Sequence, residues 1–524
     1  MSTEPANWLS YATLYSLPLG LLLSLQLERA LQPRPQPFRQ RSARTQATHL
    51  ALWTLLFTLL LAGLQRPLFA LTLSLALQLF LIVVNNVKYA TLREPFLVQD
   101  FEYFWDMLKH PRLYIPFFGL WRTLLFSLLG VSVIGTGLWL EPPVTQQGWD
   151  TLTLMGLVGS YALGAALLLA GVNRHPPLCR FSPNQDFHRL GPLACFWEYG
   201  RALFGQQPLP QGATCFSQPT PPQQTPPQRP HLVLVQSESF ADPRRLTPAI
   251  KPDLLRHFDQ LRATALLQGR LQVPAWGANT VRTECTVLTG LTSAELGIHA
   301  FNPYRSLAKQ GIPNLASYLR QQGYRTCCIH PYPASFYLRD QVFPKLGFDH
   351  FIDIEAFKPE QKQGQYIGDL AVADKVCELL QSRDERPLFI FVITMENHGP
   401  LHLEREDPAL TQRWCSSPLP EACSDLAVYV GHIANADRML AQLQQQLQQD
   451  SRPGVLGWYG DHLPIMPQVY ATLGEPDGRT DYLIWRSDSS IAKTSAEVAA
   501  KVPTAAQDLR ADQLAAALIH ALQA

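Results

Sequence analysis

Residues 231–239 read HLVLVQSES, an apolar run that stops abruptly at two hydroxyls flanking a carboxylate. A run of this length without polar alternation predicts a strand buried on both faces. Three more follow: YRTCCI (324–329), LFIFVIT (388–394) and VLGWYG (455–460). Between them lie segments with helical spacing, NLASYLRQQG (314–323), DLAVADKVCELLQS (369–382) and YVGHIANADRMLAQLQQQL (429–447). Gly323 falls where a helix C-cap belongs. Alternation of this kind predicts an α/β domain whose mostly parallel central sheet is flanked by helices.

Ligand sites in such sheets form beyond the carboxyl ends of the strands. The first run is followed by Ser237, Glu238 and Ser239, and the second by His330. The third is followed by Glu396, Asn397 and His398, and the fourth by Asp461 and His462. Singly, each has a plain reading: Asp461-His462 as a capped turn, Glu238 as a surface acid, His398 as a loop histidine. Four such endings on one sheet edge point instead to a metal or phosphate site.

Such a site needs a nucleophile. WGANTVRTECTVLTG (276–290) places a turn at Gly277, then Thr280, then a helical pattern. Backbone N–H groups at a helix N-terminus favour phosphate. Alone, Thr280 or Asn279 reads as readily as a helix cap, with Thr283 or Glu284 completing the first turn. A threonine hydroxyl is a weak nucleophile at neutral pH, and a divalent cation lowers its pKa and aligns it with phosphorus. Glu238, Asp461 and His462, with Thr280 as fourth ligand, form a set suited to Mn²⁺ or Mg²⁺ and acceptable to Zn²⁺. Only one complete set is evident, which disfavours a two-metal phosphatase. Arg339 would neutralise phosphate oxygens, with His330 and His398 as donors. By itself Arg339 reads as a surface charge.

Outward from this core the composition changes. The chain has 524 residues and a net charge of +1, so bulk charge does not point to nucleic acid. Residues 1–175 contain five apolar runs, at 6–27, 50–65, 67–87, 123–140 and 151–172, against the ~20 residues a membrane helix needs. The 123–140 run extends backward through Phe117 and Phe118. Together they predict a transmembrane bundle of four or five spans. The 28–48 loop holds Arg29, Arg34, Arg39, Arg41 and Arg44 against Glu28 alone, which places it in the cytoplasm by the positive-inside rule. Five spans would then leave the C-terminal domain cytoplasmic, and four would put it outside. Residues 176–230 read as a juxtamembrane segment and linker, with eight prolines between 206 and 230. The globular domain is expected over 231–524, where the role of 466–524 is open. Of nine cysteines, Cys415 and Cys423 are close enough in sequence to bridge, whereas Cys327 and Cys328 read as buried thiols.

At this point the motifs VQSESF (235–240), WGANTVRTE (276–284), HPYPASFYLRDQVF (330–343), TMENHGP (394–400) and YGDH (459–462) carry a resemblance. In order and approximate spacing, the domain resembles the lipoteichoic acid synthase and periplasmic-glucan phosphoglycerol transferase family, within the alkaline phosphatase and sulfatase superfamily. The resemblance implies an alkaline-phosphatase/sulfatase-like domain behind a membrane bundle. It implies a metal site at Glu238, Thr280, Asp461 and His462, with Thr280 as the nucleophile that becomes covalently phosphoglycerylated. It assigns substrate binding to His330, Tyr337, Arg339 and His398. Tyr337 stands where the lipoteichoic acid enzyme has tryptophan, and Asn279 where it has lysine. The implied reaction moves phosphoglycerol from phosphatidylglycerol to an envelope glycan or polyglycerolphosphate acceptor, using one divalent cation, with Mn²⁺ favoured. The implied location is the bacterial inner membrane, the catalytic domain facing outward. A phosphoethanolamine transferase shares this fold and nucleophile type. A sulfatase proper would need a C/S-x-P-x-R signature, and Cys285 is followed by neither Pro nor Arg at those places. A non-catalytic membrane sensor is the reading from another class.

Overall fold

The computed structural model of the protein describes residues 5–102, 120–146, 149–205, 208–216, 228–382, 385–488 and 506–523. The backward extension through Phe117 and Phe118, and 217–227 of the proline-rich stretch, lie outside the described residues. Two compact units are present, Met1–Gln207 and Pro208–Ala524.

In the first unit every apolar run is helical: Pro5–Leu27, Ala43–Leu64, Pro67–Leu92, Leu120–Leu140 and Thr151–Asn173. Among the described residues, Ala43–Leu64, Pro67–Leu92 and Thr151–Asn173 are long and apolar enough to cross a membrane. The short 50–65 run thus belongs to a 22-residue helix, begun four residues after the arginine at position 39 by Ser42, whose side chain caps Thr45 N–H. Large apolar side chains face outward, among them Trp121 and Trp139, each 83% exposed. Such a surface suits lipid rather than water.

Two arginines of the arginine-rich loop are paired within the unit. Arg41 is buried, with Nη2 2.5 Å from Glu28 Oε2. Arg44 lies 3.2 Å from Glu198 and donates to the Pro176 carbonyl at 2.6 Å. These two arginines therefore hold the unit together instead of offering free positive charge. The same contacts gather the 28–42 loop with the short helices Pro183–Leu190 and Pro192–Phe204, as does Gln36 N–H donating to His188 O at 2.7 Å. At the opposite helix ends, Val144 N–H donates to Gln65 O, and Glu141 accepts from the Leu68 and Phe69 N–H groups. The loop and the segment leading to the second unit thus sit at one end of the bundle.

The second unit is built on strands β1 (His231–Ser237), β2 (Leu267–Gln272), β3 (Arg325–Ile329), β4 (His350–Ile352), β7 (Leu388–Ile393), β8 (Gly454–Gly460), β9 (Thr480–Arg486) and β10 (Leu509–Arg510), with β5 (Lys362–Gln363) and β6 (Tyr366–Ile367) forming a separate hairpin. The main sheet has the order β10-β2-β9-β8-β1-β7-β3-β4. Its centre, β8-β1-β7-β3, consists of the four apolar runs, all mutually parallel. Every residue of β1, β7 and β8 is buried. Alternate side chains serve two cores: Val233 and Val235 pack with Ile390, Val392 and Trp458 on one face, while Leu232 and Leu234 pack with Phe389, Phe391 and Tyr459 on the other. The 466–524 tail completes this layer. Its strand β9 lies antiparallel between β8 and β2, and the helix Ala511–Gln523 packs into the second core.

Register positions the site. Gln236 pairs with Ile393 of β7 and Tyr459 of β8, and Ser237 with Gly460, so these strands end at one level. Ile329 pairs with Val392, bringing His330 to the same edge. All nine cysteines are free. Cys415 and Cys423 do not bridge: both are buried, and Cys423 sits within the core.

Candidate metal and phosphate site

Two strand ends and one helix start converge on the ring of His462. Its Nε2 lies 3.5 Å from Glu238 Oε1, 3.3 Å from Asp461 Oδ2 and 3.4 Å from Thr280 Oγ1. Its Nδ1 lies 3.1 Å from the Leu463 carbonyl. A proton on Nδ1 satisfies that carbonyl and leaves the Nε2 lone pair facing the cluster, as in a metal-ligating histidine.

Asp461 is divided in its bonding. Oδ1 accepts from Ser239 N–H at 2.8 Å and from His462 N–H at 3.0 Å. Oδ2 is buried and has no hydrogen-bond partner among the described residues. An unsatisfied buried carboxylate oxygen costs about 1–3 kcal/mol or more unless something cationic meets it. Ligands arranged tetrahedrally at about 2.1 Å from a cation stand about 3.4 Å apart. The spacings around His462 Nε2 match that value. Glu238, Asp461 and His462 each offer an atom within 4.8 Å of the others. Two carboxylates, an imidazole and a hydroxyl therefore fit one divalent cation.

Local backbone explains the aim. Ser239 adopts φ 53°, turning the chain sharply after β1 so that its N–H reaches Asp461. Ser239 Oγ also donates to Glu238 Oε1 at 2.9 Å, and Glu238 N–H donates to Thr394 Oγ1 at 3.0 Å. Asn397 Nδ2 donates to the Glu238 carbonyl at 3.1 Å. Thr283 Oγ1 donates to Asp461 O at 2.7 Å, pinning the helix Thr280–Thr289 to the loop after β8.

Thr280 is the first residue of that helix. Asn279 precedes it at φ 63° and makes no side-chain cap. The cap reading of Asn279 is thus replaced by a bare helix N-terminus, free to meet an anion.

Burial, then the charge of Asp461, pushes the Glu238 carboxyl up to about 8, against the opposing pull of His462. In metal-free protein Glu238 holds its proton more tightly folded than unfolded. Its contribution to stability therefore falls as pH rises from 4.5 to about 8. Chelated full-length protein is expected to lose melting temperature across that window relative to Glu238→Gln, which has no proton to release. Parallel curves for the two would contradict the raised pKa.

Arg339 is 1% exposed and is held on three sides. Nη2 meets Glu284 Oε2 at 2.8 Å, Nε meets Oε1 at 3.2 Å, and Nη1 donates to His330 Nε2 at 3.2 Å. Its guanidinium carbon stands 5.5 Å from the Tyr337 ring centre. His330 Nδ1 faces the Ile393 carbonyl at 3.2 Å, so both ring nitrogens of His330 are occupied. Burial and the Arg339 charge hold this imidazole well below its ordinary pKa, and therefore neutral. His398 is also lowered, first by burial; its Nδ1 lies 2.7 Å from Gly399 O.

Glu284 escaped the sequence reading, where it served only as a helix-start acid. It is fully buried and also bonded to Tyr304 Oη. No periodicity separates a capping acid from one turned inward toward an arginine 55 residues away. Glu284→Gln leaves Arg339 buried without its counter-charge. A loss of about 3–5 kcal/mol is expected by chemical denaturation, the cost of breaking a buried pair from one side. Unchanged stability would mean that Arg339 finds another anion. Glu396, whose role was open, accepts from Asp369 N–H at 2.6 Å and from Asn435 at 2.5 Å, tying two helices to the sheet edge.

The family model described as Sulfatase matches residues 230–522. The capsular polysaccharide biosynthesis protein RkpI of Rhizobium meliloti is 33% identical over 283 residues, 53% of this chain and 48% of that protein. A putative cyclic beta-1,2-glucan modification protein of the same organism is 32% identical over 257 residues, 48% of this chain and 38% of that one. The chain thus spans less than half the length of these curated relatives. Among solved structures, the integral membrane lipooligosaccharide phosphoethanolamine transferase A of Neisseria meningitidis aligns with a TM-score of 0.52 at 14% identity, covering 91% of this chain and 95% of that one. That likeness concerns the fold.

Proposed function

Because the chain belongs to the sulfatase family, we propose that it is a membrane-anchored, metal-dependent transferase that moves phosphoglycerol from a phospholipid to an envelope glycan through a phosphorylated Thr280. The observation that carries this reading is the meeting of Thr280 Oγ1 with Glu238, Asp461 and His462 around one point. Those four residues would hold a divalent cation, Mn²⁺ by preference, which would supply Lewis-acid charge that lowers the pKa of the hydroxyl.

The chain's own groups then divide the work. Thr280 Oγ attacks phosphorus and forms a new P–O bond as the diacylglycerol P–O bond breaks, and the threonine proton ends on the departing diacylglycerol oxygen. The bare helix N-terminus at Thr280 faces the phosphate oxygens with N–H groups. Arg339 adds a fixed positive charge whose direction is set by Glu284 and His330. Tyr337 walls the pocket. With Nδ1–H donated to Gly399, neutral His398 presents a lone pair on Nε2 able to accept a proton from an incoming hydroxyl. In the second half-reaction that hydroxyl takes the group and Thr280 is restored.

We place the catalytic unit on the outer side of a bacterial inner membrane. The arginine loop and the exit toward the catalytic unit share one end of the bundle, so five spans put both on the same side. Internal pairing of Arg41 and Arg44 weakens the charge argument for the cytoplasm. Proximity to the bilayer concentrates a lipid donor.

Mass spectrometry of full-length protein incubated with phosphatidylglycerol or phosphatidylethanolamine tests the reading. A phosphoglycerol adduct on the Thr280 peptide is expected. A phosphoethanolamine adduct would reassign the donor, and no adduct with either would sink the transferase proposal.

A further inference from the structure

A cleft with a volume of about 430 Å³ opens in the second unit. One face of the helix Ser424–Gln449 forms its wall, through Ala427, Val428, Gly431, His432 and Asn435, which recur at helical spacing. Gln363 and Gln365 from the β5–β6 hairpin line it as well, with Glu404.

The cleft adjoins the site already described. Glu396 lines it, and two residues later comes His398. Gln365 lines it, and the next residue, Tyr366, places its hydroxyl 3.4 Å from His398 Nδ1. The Tyr366 ring also stands 5.4 Å from the His398 ring, centre to centre. It therefore stands between the reacting centre and the cleft.

Its lining selects a type of ligand. Leu403, Leu410 and Val428 give apolar lining and the amides of Gln363, Gln365 and Asn435 polar lining, with Gln365 held by Glu404 and Asn435 by Glu396. His432 is 8% exposed; Nε2 meets Glu404 Oε2 at 3.1 Å, while Nδ1 has no hydrogen-bond partner among the described residues. Glu396, Glu404 and Asp407 against Arg405 disfavour an anionic phosphate. This mixture of apolar and polar lining suits a ring that has one apolar face and hydroxyls at its edge.

We infer that this cleft binds the acceptor, as a neutral pyranose of an envelope glycan whose hydroxyl is directed past Tyr366 toward phosphorylated Thr280. This rests on the transferase reading above. The acceptor oxygen forms its bond to phosphorus as the Thr280 Oγ–P bond breaks, and the acceptor's proton ends on Thr280 Oγ.

Gly431 provides the test. A Cβ there meets only the far end of Leu410, at 3.3 Å, so a longer side chain enters the cleft from a helix that tolerates it. Full-length Gly431→Met and Gln365→Ala are reconstituted in phosphatidylglycerol vesicles, with cyclic β-1,2-glucan as acceptor. Adduct formation on Thr280 and the KM for glucan are measured separately. A glucan KM raised at least about tenfold in Gly431→Met and several-fold in Gln365→Ala, with adduct formation retained, is the expected result. Unchanged glucan KM in both variants overturns the inference and leaves the transferase reading standing. So does a loaded wild-type protein that transfers nothing to the glucan. Absence of the adduct in the wild type overturns both.

Discussion

Thr280→Ala is expected to abolish head-group transfer while leaving a folded protein. A lost nucleophile that acts as one unit with its activating groups costs at least about 10⁴-fold in rate, ~5 kcal/mol of barrier. Thr280 is positioned for this role and for little else. Its hydroxyl's contact is His462 Nε2 at 3.4 Å, and it does not cap its helix. Alanine is well accepted at a first helical position, so stability should change by no more than about 1 kcal/mol. Thr280→Ser keeps the oxygen but frees its rotamer, and should retain part of the activity. The check is adduct formation and glycan transfer by purified full-length protein, alongside thermal melting. Wild-type transfer by the alanine variant would place the nucleophile elsewhere.

Asp461→Asn should be nearly as damaging for a different reason. Oδ1 is held by two backbone N–H groups, so the side-chain plane is fixed and Oδ2 is the atom presented to the cluster. Replacing Oδ2 by an amide removes a charge and points a donor where a cation is proposed. Transfer is expected to fall at least about 10³-fold, as for loss of several kcal/mol of electrostatic stabilisation. Stability separates this from mere damage. Metal-free Asp461→Asn should melt no lower than metal-free wild type, because the repulsion of Glu238 by Asp461 is relieved. Added Mn²⁺ should raise the melting temperature of the wild type and not of the variant. Chelation should stop wild-type transfer, and Mn²⁺ should restore it. A variant that still gains stability from Mn²⁺ would remove Asp461 from the metal site.

Much of this is legible in the sequence itself. The central strands announced themselves because a parallel strand covered on both faces must be apolar throughout, as HLVLVQ and LFIFVI are. Their shared register then made the residues after each strand neighbours, which is why Glu238, Asp461 and His462 could be grouped from sequence. β2 and β9 escaped notice. LQGRLQ and TDYLIWR mix polar with apolar residues in a way that a helix or loop would also permit. The partners of buried charges were equally opaque. Glu284 and Arg339 are joined only by the fold, and the arginines of the 28–48 loop looked free because Glu198, which receives Arg44, lies far along the chain. Sequence gives the charge of a side chain and not its counter-charge.

The proposal stands on a single cation held in common by Glu238, Asp461, His462 and the Thr280 oxygen. Anomalous diffraction from crystals of the full-length protein grown with Mn²⁺ measures that directly. One manganese peak within about 2.0–2.3 Å of a ligand atom from each of these four residues is expected. A peak bound elsewhere, or one that leaves Thr280 outside the coordination shell, would contradict the account.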